Sequence, residues 1–317
     1  FLDDFLPKRK ETNQPNSNLV QDPNDLAATS PPGPSGPSGS SSVRMSIKMC
    51  EEYSKNYTTE LHGPYVDTAP YVVGGRNATL GEFPHMAILG NPGSNGMEFF
   101  CGGTLISNRY ILTAAHCVFA QVPTIIRLGE LDTTKDDDGA TPRDYGVDEI
   151  IPHVDYKISS VYHDIALIRL NESVEFYKLV RPACLPQNTD LKEWSLDAYG
   201  WGHTEFAGHE SPRLQVIQLG ISSEEVCKTN YPSTRRFKEG LIDSQICAGD
   251  FLGLMDTCQG DSGGPLSRKT YKNEIFTYVH QVVGVTSFGK GCGAKIPAIY
   301  TNVHSYLDWI EKIVWNV

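Results

Sequence analysis

The sequence predicts an all-β protein of barrel type closed by a helix, on three observations. Glycine and proline are frequent, at 29 and 20 of 317 residues, and favour many turns over long helices. From Val72 onward, short apolar runs alternate with turn signals. Helical periodicity is sustained only at the very end of the chain. With 39% hydrophobic residues there is material for a real core, and 317 residues allow one large domain or two modest ones.

The first 49 residues stand apart as a disordered, low-complexity region. Residues 30–42 contain only Ser, Pro and Gly and read as a linker. Gly33, Gly36 and Gly39 hint at a collagen period, over a run far too short for a triple helix. Lys8-Arg9-Lys10 is a basic cluster, either a nick site or simply a solvated tail. Residues 50–71 form a second segment and 72–317 the folded domain. Within that domain the expected strands are 86–89, 103–107, 110–113, 124–128, 165–170, 213–219, 277–285 and 298–303. A short helix is expected near 223–228. The closing helix places Leu307, Ile310, Ile313 and Val314 on one face.

Charge and cysteine usage narrow the setting. A net charge of −11 lacks the basic face that phosphate backbones require, which argues against nucleic acid. No apolar run approaches the length of a membrane span. Eight cysteines, an even number without C-x-x-C pairs, suit an oxidising compartment better than zinc. Sequons at Asn56, Asn77 and Asn171 point the same way, to a secreted, extracellular protein. The chain starts at Phe1 rather than Met, so a signal peptide would be removed already or lie outside this sequence.

The chemistry concentrates in Met255-Asp256-Thr257-Cys258-Gln259-Gly260-Asp261-Ser262-Gly263-Gly264-Pro265. The glycines after Ser262 permit a tight turn that exposes its hydroxyl. The N–H groups of Gly260 and Ser262 can converge on one point, as an oxyanion hole requires. His116 ends the apolar stretch Leu112-Thr113-Ala114-Ala115-His116-Cys117, and Asp164 opens the buried strand that follows His163. Alone, the histidine reads as a core residue and the aspartate as a structural acceptor. Taken in the order His, Asp, Ser, the three match the chymotrypsin arrangement.

On the motifs T-A-A-H-C, D-I-A-L and G-D-S-G-G-P, residues 72–317 resemble a chymotrypsin-fold, trypsin-like serine protease. The resemblance implies two packed six-stranded antiparallel β-barrels and a C-terminal helix. It makes His116 the general base and then acid, Asp164 its orienter, Ser262 the nucleophile, and Gly260 with Ser262 the oxyanion hole. Asp256 matches the floor of the specificity pocket and would demand Arg or Lys from a substrate. Thr257, Ser287 and Gly289 complete the substrate-binding set. Ala298 stands where the trypsin pattern has glycine, and its methyl would narrow the pocket in favour of Arg.

The same resemblance pairs the cysteines as Cys101–Cys117, Cys227–Cys247, Cys258–Cys292 and Cys50–Cys184, the last tethering the pro-segment. Val72-Val73-Gly74-Gly75 resembles the family's new N-terminus, whose amine would pair with Asp261 after cleavage. Tyr71 precedes that bond where most such zymogens carry Arg or Lys, so self-activation is disfavoured. Tether, long pro-region and non-basic activation site resemble arthropod clip-domain proteases of immune and developmental cascades, although the clip domain's six cysteines are not among residues 1–49. Expected partners are a protein substrate such as a downstream zymogen, an upstream activating protease and a serpin-type inhibitor, with the chain itself a monomer. No cofactor is required. Glu130, followed by Asp136-Asp137-Asp138, matches a loop that binds calcium in many relatives and reads equally as a solvated acidic loop. A digestive or venom protease is the alternative within enzymes. A non-catalytic adaptor is disfavoured by the complete triad.

Overall fold

The computed structural model describes residues 43–55, 75–94, 96–191, 195–203, 210–249, 261–272, 277–289 and 296–317. The expectations for residues 1–42, Asn56, Tyr71, Val72, Asp256, Thr257, Cys258, Gly260 and Cys292 lie outside them. Two closed antiparallel barrels carry the architecture. The first is formed by β2 (Met86–Gly93), β3 (Gly96–Leu105), β4 (Tyr110–Thr113), β5 (Ile125–Leu128), β6 (Arg143–Pro152) and β7 (Ala166–Leu170). They close in the order β2-β3-β4-β7-β6-β5.

The second barrel uses β8 (Leu196–Gly200), β9 (Gln215–Ile221), β10 (Gln245–Gly249), β11 (Pro265–Lys272), β12 (Thr277–Phe288) and β13 (Ala298–Asn302). Its order is β8-β9-β10-β13-β12-β11, closed by β11 returning to β8. Position for position, this repeats the strand order of the first barrel. The short β1 (Arg76–Asn77) adds to the outside of β9. Among the described residues, closure leaves no long unpaired edge in either sheet.

Inward-facing residues fill each barrel. Leu105, Ile111, Leu112, Ile126, Leu128, Leu167 and Ile168 are buried in the first, and Leu196, Leu219, Ile246, Leu266, Val283 and Tyr300 in the second. Burying side chains of this size contributes roughly 1.5–3 kcal/mol each. Phe83, Met86, Ile88, Tyr199, Trp201 and Leu214 form a further cluster that joins the two barrels.

Among the described residues, four helices decorate this frame: α1 (Met45–Lys55), α2 (Ala115–Ala120), α3 (Glu224–Asn230) and α4 (Leu307–Trp315). The hydroxyl of Ser223 caps α3 by accepting from the Val226 N–H, with Glu224 and Glu225 in the first turn. A 3₁₀ turn, Val303–Tyr306, leads into α4, whose Leu307 and Ile310 pack into the core of the first barrel. The C-terminal segment thus straps the two barrels together. Helix α1 starts at Met45, earlier than the change of composition suggested. It is polar, and its buried residues Ser46, Cys50 and Ser54 fall four apart on one face. Glu311 of α4 accepts from the Ser46 N–H at 2.9 Å, at the helix start. Arg44 reaches both Asp308 and Glu311, and Tyr53 meets Phe176 edge-on.

Candidate active site

Pairing of β4 with β7 sets Thr113 opposite Ala166, which brings His116 and Asp164 side by side. His116 rides on the first turn of α2, just beyond β4. Asp164 is buried, and a buried carboxylate is costly unless donors surround it. Here it has three. The His116 N–H donates to Oδ1 at 2.8 Å, and Oδ2 receives His116 Nδ1 at 2.7 Å and Ser287 Oγ at 2.5 Å. Thr301 Oγ1 donates to the Asp164 carbonyl at 2.7 Å, holding the backbone behind the carboxylate. With Nδ1–H committed to Asp164, Nε2 of His116 is the nitrogen left to take a proton. The ring is 31% exposed, enough to be reached from outside.

Ser262 comes from the other barrel, at the turn before β11. That turn is fastened on both sides. Gly102 of β3 donates its N–H to the Ser262 carbonyl at 2.8 Å, while Gly263 N–H reaches the Thr286 carbonyl of β12 at 2.9 Å. Gly263 adopts φ +76°, and a Cβ there would lie 2.3 Å from Thr113 Oγ1 and 2.7 Å from the Gly102 carbonyl. Only glycine fits that position. The turn therefore brings Ser262 against the barrel that bears His116 and Asp164.

Asp261 Oδ1 accepts the Gly202 N–H at 3.0 Å, directly over Gly200, where a Cβ would approach it to 2.1 Å. Neither glycine stood out in the sequence, although the G-W-G run was its visible sign. Ser287 was expected among the substrate-binding residues. Its hydroxyl donates to Asp164, and the residue is buried. Gly289 is exposed just past the end of β12. Ala298 is buried at the start of β13, paired with Ala248, and packs in the core cluster of the second barrel.

Among the described residues, three disulfides brace these parts. Cys101–Cys117 joins β3 to α2 beside His116, Cys227–Cys247 joins α3 to β10, and Cys50–Cys184 ties α1 to the body of the protein. Asn77 and Asn171 are exposed, as glycosylation would require. Glu130 is turned inward: its Oε1 accepts the Leu131 N–H and its Oε2 lies 3.3 Å from Arg127. Burial, with the nearby charge of Asp138, raises its pKa despite those contacts. Asp138 Oδ2 is buried without a hydrogen-bond partner.

Taken together, a serine on a clamped turn and an imidazole held by a buried carboxylate can perform nucleophilic acyl transfer. The comparisons agree with that chemistry. The family model described as Trypsin matches residues 72–310. The chain is 40% identical to serine protease snk of Drosophila melanogaster over 292 residues, covering 86% of this chain and 66% of that protein. It is 41% identical to phenoloxidase-activating factor 3 of Holotrichia diomphalia over 262 residues, 77% of this chain and 72% of that one. The proclotting enzyme of Tachypleus tridentatus is 33% identical over 266 residues, with 80% and 68% covered. The chain thus spans about two thirds of the length of the Drosophila relative. Through barrels, site geometry and a family match over most of its length, the chain belongs to the trypsin family of serine proteases.

Proposed function

We propose that this chain is the zymogen of a secreted endopeptidase that cuts protein bonds after Arg, and less readily Lys, within an extracellular activation cascade. The observation that carries the reading is the bond between His116 Nδ1 and Asp164 Oδ2 at 2.7 Å, beside the glycine-locked turn of Ser262. In this reading Ser262 Oγ attacks the scissile carbonyl carbon while its proton passes to His116 Nε2. The oxyanion accepts from the N–H groups of Gly260 and Ser262. Collapse breaks the C–N bond, and His116 returns the proton to the leaving amine. A water then repeats the cycle and releases the acid.

Specificity rests on Asp256, whose carboxylate would pair with the substrate's cation, and on Ala298, whose methyl favours the flatter guanidinium. Activation is cleavage between Tyr71 and Val72 by a protease of apolar preference, after which the Val72 amine pairs with Asp261. The relatives named for phenoloxidase activation and clotting support a place in such a cascade. The partners are then an upstream protease, a downstream zymogen and a serpin-type inhibitor, with the enzyme acting as a monomer.

A structural Ca²⁺ beside Glu130 belongs to the same reading. The partnerless, buried Asp138 Oδ2 supports it, while the Arg127 contact with Glu130 opposes it. Calorimetry of EDTA-treated protein reads the outcome. A Tm that rises in millimolar Ca²⁺, and no longer does so in Asp138→Asn, supports the site; an unmoved Tm removes it.

The main test cleaves recombinant full-length chain with chymotrypsin and follows hydrolysis of Arg, Lys and Phe peptides. Arg-peptide hydrolysis should appear with the new Val72 terminus and be absent from Ser262→Ala. No gain on Arg peptides would defeat the assignments of Asp256 and of the activation bond together.

A further inference from the structure

Two imidazoles stack beside the Asp164 loop. His153, just past β6, and His163 lie 5.3 Å apart between ring centroids, with their planes 12° from parallel. Asp155 brings a carboxylate to the same place, and one donor atom from each of the three lies within 4.8 Å of the others. None of these residues has a part in the proteolytic steps above. Two imidazoles and a carboxylate make three donors of a four-coordinate zinc site, which a water would complete.

We propose that His153, Asp155 and His163 form a Zn²⁺ site whose occupation slows the protease.

Three features support the assignment. The first is reach: the Asp155 carboxylate already lies 3.8 Å from His153 Nδ1. The second is ring orientation. His163 Nδ1 bonds the Tyr306 hydroxyl at 3.0 Å, while Tyr306 and Trp309 meet the His153 ring edge-on, each at 5.1 Å. Such outer contacts hold metal-binding histidines in place. The third is strain. His163 sits at φ +56°, a conformation uncommon for a non-glycine residue and one that concentrates at functional positions.

The donors must draw together, since Zn–N bonds of about 2.0–2.1 Å set tetrahedral ligand atoms roughly 3.4 Å apart. Asp155 is the arm free to move, at 65% exposed against 12% for His153. Drawing His163 toward an ion pulls on its neighbour Asp164, whose three hydrogen bonds hold His116. Slowed catalysis is the result.

The site is tested apart from activity, because only its inhibitory effect rests on the protease reading. Full-length chain carrying Ser262→Ala is titrated with ZnCl₂ by calorimetry, and with Co²⁺ while the visible spectrum is followed. One ion per chain and a four-coordinate Co²⁺ spectrum are expected, with affinity reduced at least tenfold in both His153→Asn and His163→Asn. Asparagine tolerates the left-handed backbone, so His163→Asn keeps the loop, and circular dichroism checks the fold. Activated wild-type enzyme should lose peptide hydrolysis as Zn²⁺ rises, and His153→Asn should resist. No bound ion, or an affinity unchanged in both variants, overturns the site. A bound ion with wild-type hydrolysis undiminished overturns its inhibitory role.

Discussion

Ser287 and His116 share the carboxylate of Asp164, so alanine at 287 would leave Asp164 with one donor fewer in a buried place. Hydrogen bonds to charged groups are worth roughly 1.5–3 kcal/mol, which predicts a fall in kcat/KM of about ten- to a hundredfold for Ser287→Ala. Steady-state kinetics on an Arg peptide would measure it, and a wild-type rate would show that the contact is idle. Gly200→Ala pushes a methyl into Asp261 Oδ1 and should displace the carboxylate from Gly202 N–H. Activity should drop at least tenfold with little change in Tm, because only one flexible side chain must move; equal losses in both would point to unfolding instead. His116, Asp164 and Ser262 were legible in sequence because each sits in its own motif. Thr301 and Gly200 were not, and Ser287 was read as substrate-binding, without its bond to Asp164. Their roles arise from partners far away in the chain, such as the 123 residues between Ser287 and Asp164, and no local pattern encodes that.

At the level of elements, strands with concentrated apolar residues, such as β4 and β7, were found within a residue or two. Strand β6 was missed because it is a half-buried stretch with charged residues interspersed, held in place by its ladders to β5 and β7. Strands β8, β10 and β11 were missed as well, being short or opening on proline at a turn. Helix α1 escaped notice because it has no apolar face of its own; a disulfide and the acids of α4 supply its stability. This makes a testable element. After cleavage at the activation bond, the fragment bearing α1 should stay with the catalytic part on a non-reducing gel and separate only on reduction. With both Cys50 and Cys184 changed to serine, Glu311→Ala should hasten its loss on gel filtration severalfold; an unchanged elution would mean that the cap contributes nothing.

On the scale of the whole molecule, the seam between barrels is rich in titratable groups. His85 bonds Tyr199, which in turn donates to Ser267, and the His85 and His280 rings lie 5.0 Å apart. Burial drives both histidines down, His280 to about 3, while Glu82, against the pull of burial, is held at about 2 by Arg76. An unfolded histidine binds its proton near 6.5, well before the folded one does, so folding stability must fall as pH drops from 6.5 toward 3. Glu82 acts in the same direction: its contribution is whole above 4.5 and lost as pH falls toward 2. Tm should therefore decline steadily below pH 6. His280→Gln should flatten the decline between 6.5 and 3, with a slope change of up to about 1.4 kcal/mol per pH unit. Thermal melts across that range would decide it, and an identical slope would exclude His280. The repeated strand order has a consequence of another kind. The first copy carries His116 and Asp164 and the second carries Ser262, so each copy by itself is chemically mute. The exposed stretch at residues 187–190 lies between them. Severed there and fused to two interacting proteins, the halves would act as a logical AND gate, cutting only where both arrive.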